Sequence, residues 1–185
     1  GVYTNNGNPT FLRCTFESNR ADYGGGLLSR TGGGVAVRGL DGVFMLNTAR
    51  AGYAGGLAKF DAGTITVERT RFLANAAATN GGGMVIRGGG QIWDRVFQSN
   101  EAAAGGGLFI SGSGTSTAFG STFTNNLNGG VLEDTGVIVG ELRNCIVWAN
   151  YGFEVGSNVS VSYCDVLGGY SGTGNINADP LFVDP

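Results

Sequence analysis

The sequence contains no histidine. That removes the commonest general base, the usual catalytic triads and most zinc sites together. Lysine is almost missing too, since Lys59 alone accompanies ten arginines among the 11 basic residues. With a net charge of −3 and 14% charged residues, the chain carries no basic footprint for nucleic acid or an anionic membrane. No apolar run approaches the ~20 residues that cross a bilayer, so no membrane span is expected. Residues 1–8 lack the basic-then-apolar pattern of a signal segment, which reads as a mature chain or a fragment. Three cysteines, Cys14, Cys145 and Cys164, are too few for a disulfide scaffold. Nothing implies a metal or a cofactor.

Proline is also scarce, at 3 residues, whereas glycine reaches 36 of 185 without a collagen-like period. The length fits one domain, and 42% hydrophobic residues suffice for an elongated core. The glycines therefore answer a recurring backbone need. A phenylalanine three positions before an asparagine recurs as Phe16 and Asn19, Phe44 and Asn47, Phe72 and Asn75, Phe97 and Asn100, and Phe123 and Asn126, with Val147 and Asn150 as a weaker sixth. The intervals between first members are 28, 28, 25, 26 and 24 residues. After each of the first five pairs comes a glycine cluster running into an apolar residue, Leu27, Leu57, Met84, Leu108 or Val131.

A unit of this size is too short for a propeller blade or a helix pair, and it lacks the 3.6-residue period of helices. It suits one coil of short strands separated by turns. Successive coils would pair as parallel strands, whose crossovers are overwhelmingly right-handed. The fold expected is all-β, a right-handed parallel β-helix of about seven coils, forming a single domain over residues 1–185. Its repeats span about 11–167, and a C-terminal cap covers about 168–185.

In that fold the phenylalanine and leucine columns point inward, and the asparagine column forms a structural ladder at a corner that tolerates the left-handed backbone region. The glycine clusters mark a second corner. The column Glu17, Met45, Leu73, Gln98, Thr124 and Trp148 is expected to face solvent. Cys145 and Cys164 fall at equivalent positions of neighbouring coils, close enough for a disulfide but equally suited to a reduced core ladder. Leu181, Phe182 and Val183, flanked by prolines, are expected to fold over the end of the core. The first coil has no such cover, and its edge invites another chain or missing sequence.

The phenylalanine-x-x-asparagine and glycine-glycine-x-apolar motifs resemble the repeats of the polymorphic outer-membrane proteins, a family of bacterial β-helical surface proteins. The resemblance covers about residues 11–131. It implies an extracellular or cell-surface setting and adhesive, structural or passenger roles. The chain departs from that family in showing no membrane barrel.

The same fold also hosts polysaccharide lyases and glycoside hydrolases, which need clustered carboxylates. The best acidic candidates are Asp41 beside Arg38 and Asp61 beside Lys59, a pairing that equally fits an exposed, salt-bridged surface. Tyr23 and Tyr53 each stand before a glycine cluster in neighbouring coils, where they form an aromatic shelf for a sugar or simply an aromatic corner contact. Trp93 and Trp148 are similar cases, with Trp148 the better candidate for an exposed contact. The function expected is a secreted, non-enzymatic structural or adhesive module that assembles end to end into a fibre. A carbohydrate-active enzyme or a module binding a cell-surface or extracellular glycan is the alternative.

Overall fold

The computed structural model describes residues 1–30, 35–61, 63–134 and 140–183, and it gives the backbone alone at 37–41. The chain is a parallel β-solenoid, with no helix among the described residues. One sheet stacks six strands: Val2–Asn5, Leu27–Arg30, Leu57–Lys59, Met84–Arg87, Leu108–Ser111 and Val131–Glu133. Six strands enclose five full turns, fewer than the sequence predicts, because the following coil reaches this sheet only through a single bridge from Val131 to Val155. A 12-stranded sheet makes the next two faces. Pairs of short strands line them, except where Val35–Met45 and Thr64–Leu73 run through the corner. A small sheet of Arg20–Ala21, Thr48–Ala49 and Ala76–Ala77 completes the coil.

Register explains the repeats. Phe16 pairs with Phe44, Phe44 with Phe72, Phe72 with Phe97, and Phe97 with Phe123. Their rings stack with centroids 4.4–4.9 Å apart and planes within 8° of parallel. That spacing is the strand separation itself, so each ring meets its equivalents above and below. Leu27, Leu57, Met84, Leu108 and Val131 form a second inward column, all fully buried.

The asparagines are the inner ladder of the corner rather than its left-handed residues. Positive φ falls one position earlier, at Ser18, Leu46, Ala74, Ser99, Asn125 and Ala149. That turn aims the next side chain inward, and Asn47, Asn75, Asn100 and Asn126 are completely buried. Each Nδ2 donates to the Oδ1 of the next asparagine at 2.8–3.0 Å, from Asn19 through to Asn150. Each of these oxygens also accepts the backbone N–H of the preceding asparagine. Every buried polar atom of the stack thus finds a partner, as burial demands.

A second corner repeats the device with hydroxyls and thiols. Arg13, Arg69, Asp94, Asn144 and Tyr163 have positive φ, and each precedes a member of one inward column: Cys14, Thr70, Arg95, Cys145 and Cys164. The Cys14, Thr70, Ser121, Cys145 and Cys164 side chains all donate to the carbonyl two residues back. Cysteine therefore stands where serine or threonine stands in other coils. Cys145 and Cys164 are buried and unbridged, with the Cys145 N–H donating to the Cys164 Sγ at 3.3 Å. The hydrogen bond with Cys164 and, after it, burial push the Cys145 thiol above its ordinary value.

The glycine clusters answer mostly to close approach. Their first position has positive φ, yet Ala54 and Asn128 occupy it beside Gly24, Gly81 and Gly105. The last position is stricter: a Cβ on Gly83 would lie 2.6 Å from the Gly107 carbonyl oxygen and 3.0 Å from the Phe97 ring. No side chain fits there.

The column expected to face solvent is partly covered instead: Met45, Leu73, Gln98 and Trp148 are half-buried and Thr124 is 9% exposed. Stacked neighbours at the coil spacing cover one another. Past the last strand, Ile176 exchanges backbone hydrogen bonds with Cys164 and Val166, and Tyr170 packs on the core. Leu181, Phe182 and Val183 stand exposed, at 77%, 49% and 91%, so covering contacts come from Tyr170 rather than from these three.

Candidate functional site

The outer face of the first sheet is not polar. Leu28, Ala58, Val85, Phe109 and Leu132 stack across it in register, and Ala58, Val85 and Phe109 are buried beneath Tyr53 and Phe60 in a second, smaller core. Tyr53 meets Phe60 edge-on at 5.7 Å and Tyr23 face-on at 6.2 Å with planes 28° apart. Gly52 makes room for Tyr23, whose ring occupies the space a Cβ there would need. Tyr23 is 43% exposed.

Two arginines sit over this shelf. The Arg87 guanidinium lies 4.8 Å from the Tyr53 ring centre and 5.2 Å from that of Phe60, while Arg30 lies 5.8 Å from Phe60. Such stacking fixes the position of each guanidinium against the rings. The sequence points to Tyr23 and Tyr53 and does not single out Phe60, Arg30 or Arg87. The signal for them is register: Arg30 closes the strand Leu27–Arg30 and Arg87 closes Met84–Arg87.

The acidic candidates fare differently. The side chains of Asp41 and Arg38 lie outside the described residues. Asp61 is exposed, at a left-handed position. Lys59 is fully buried rather than part of an exposed salt-bridged surface, because it falls in the inward column of Ser29 and Ile86. Its ammonium donates to the Phe60 carbonyl at 2.8 Å. Burial lowers its pKa, and Asp61 works in the opposite direction. Trp148 is half-buried, whereas Trp93 is 37% exposed. Among the described residues no group of three or more histidine, cysteine or acidic side chains is placed to hold a metal, and no helix is long and apolar enough to cross a membrane.

No family model matches the chain, and no curated protein or solved structure does either.

Proposed function

We propose that the chain is a structural and adhesive module of the extracellular or cell-surface environment, a stiff solenoid that holds a contact surface for a glycan. The arginine-capped shelf of Tyr23, Tyr53 and Phe60 carries this reading. The exposed Tyr23 ring offers a face to the C–H side of a sugar, with the half-buried Tyr53 beside it, and Arg87, stacked on Tyr53 and on the buried Phe60, supplies a cation for its hydroxyl or acidic groups. The shelf rests on the buried small core of the first sheet, so it is preorganised. The likeness of the repeat motifs to those of polymorphic outer-membrane proteins supports the surface setting.

The test is binding to an array of neutral and acidic glycans, followed by calorimetry on the best binder. Tyr23→Ala and Tyr53→Ala are each expected to weaken binding at least tenfold while leaving the circular dichroism spectrum unchanged. Unaltered affinity in both variants would refute the shelf as the contact surface.

A second reading, self-association through the coil ends, is supported by the face that carries Phe11, Phe16, Cys14 and Asn19 around a cavity of about 330 Å³. Light scattering that shows monomers alone across a wide concentration range removes this reading.

A further inference from the structure

The outer side of the 12-stranded sheet carries a second group of aromatic rings, unrelated to the shelf. Glu68, Trp93, Phe119, Arg143 and Ser162 occupy one register column across five coils. The Trp93 and Phe119 rings are 5.3 Å apart and tilted by 46°. One coil beyond Phe119, Arg143 lies 5.6 Å from the ring of Tyr163, which is 52% exposed. These groups make a strip parallel to the rod axis.

Polar grooves flank the strip on both sides. One, of about 240 Å³, is walled by Glu68, Arg69, Trp93 and Asp94. The other, of about 350 Å³, includes Thr66, Gln91 and Thr117; these three stand in register two residues along the strands from Glu68, Trp93 and Phe119. Glu141 continues that column and accepts from Thr117 Oγ1 at 3.5 Å. Behind the first groove lies Arg95, 1% exposed. Its Nη1 donates to the Asp94 carbonyl at 3.1 Å, and its Nε and Nη2 have no hydrogen-bond partner. It interacts electrostatically with Asp94 and Glu68. A buried cation thus stands directly behind the two carboxylates of that groove.

We infer that this strip is a binding site for a neutral polysaccharide chain lying along the rod. An exposed indole followed by a second ring gives a stacking surface. Thr66, Gln91 and Thr117 supply hydroxyl and amide groups that both donate and accept. Glu68, Asp94 and Glu141 stand among Arg69, Arg95 and Arg143, so the site has acceptors and donors without an excess of either charge. That balance selects a ligand rich in hydroxyls and lacking charge. The strand backbones are already paired with neighbouring coils, so an added peptide strand has no ladder to join.

The inference builds on the glycan-engaging reading but places a separate site with a different selectivity. Of the two tryptophans, Trp148→Phe leaves Trp93 as the sole reporter. Titration of that variant with laminarin, galactomannan or hydroxyethylcellulose is expected to shift and quench its emission, while polygalacturonate and heparin leave it unchanged. Trp93→Ala in the otherwise native chain is expected to abolish the retardation of the protein in gels containing the bound neutral glycan. Tyr23→Ala should leave that retardation intact. The inference is overturned if none of the three neutral polymers perturbs Trp93, if Trp93→Ala binds as the parent does, or if the acidic polymers perturb Trp93 more strongly. Loss of acidic-glycan binding in Tyr23→Ala would bear on the shelf alone.

Discussion

An asparagine side chain carries donors on one atom and an acceptor on its neighbour, and a stack of coils about 4.8 Å apart lets each amide bridge to the next. Asn75 makes this concrete. Its Oδ1 accepts from the Asn47 N–H and Nδ2 at 3.0 and 2.9 Å, while its Nδ2 reaches the Phe44 carbonyl and Asn100. Asn75→Ala leaves two buried donors and two buried acceptors short of a partner, besides a void. Each unsatisfied group costs about 1–3 kcal/mol, so a loss of about 3–5 kcal/mol of unfolding free energy is expected from urea titration. A loss below about 1 kcal/mol would mean the ladder is decorative. The periodicity of the sequence revealed this column but misassigned its cause. The positive φ belongs to residues as varied as Leu46, Ala74 and Ser99, which share no chemical signature. Only the fixed orientation of the following side chain reveals them.

At the scale of the element, what recurs is the close approach of one coil's glycine cluster to the next coil. Gly83 is held to glycine by the Gly107 carbonyl and the Phe97 ring. Gly83→Ala forces backbone and ring apart and is expected to cost about 3 kcal/mol, at the upper end of overpacking. Gly169→Ala is the contrasting case. Nothing lies within 4 Å of its would-be Cβ, and only its φ of 83° opposes the change, so about 1 kcal/mol is expected. Thermal melts of the two variants in parallel check the difference, and equal shifts would show that φ rather than space governs the clusters. The glycine motif itself was legible from spacing, as was the inward placement of Phe72 or Leu108. The buried Lys59 was not. Its column lies two residues from the leucine column on the same inward face of a three-residue strand, too short to show that alternation, and a lone lysine beside Asp61 reads as surface until register pairs it with Ser29 and Ile86. The arginines of the shelf were hidden for the same reason, since Arg30 and Arg87 are brought together only by stacking coils whose lengths differ.

Across the whole molecule the asparagine amides all point one way. Each Nδ2 gives one N–H to the Oδ1 of the following asparagine and the other to the phenylalanine carbonyl of the coil before, while each Oδ1 accepts only from the coil before, so the amide-to-amide bonds run in one direction and end on the donors of Asn150. There the ladder meets Glu154, whose carboxylate accepts from the Asn150 Nδ2 at 2.6 Å and from its N–H at 3.1 Å. An acid thus stands where the pattern would place another asparagine. Burial, the largest influence, holds the Glu154 carboxyl above its ordinary value of 4.5, against the hydrogen bonds from Asn150. A group whose folded value is raised contributes stability that is fully present below the unfolded value and is lost as pH rises through the folded one. The unfolding free energy should therefore carry a declining component as pH climbs through the window just above 4.5. Glu154→Gln keeps an oxygen able to accept both Asn150 donors and removes the titration. The variant is expected to be closest to the parent at the acid end of the window and to gain on it toward neutral pH, as followed by urea unfolding at each pH. A constant difference between the two proteins across that range would show that the ladder's terminus does not feel the charge, and that the carboxylate serves there only as an acceptor.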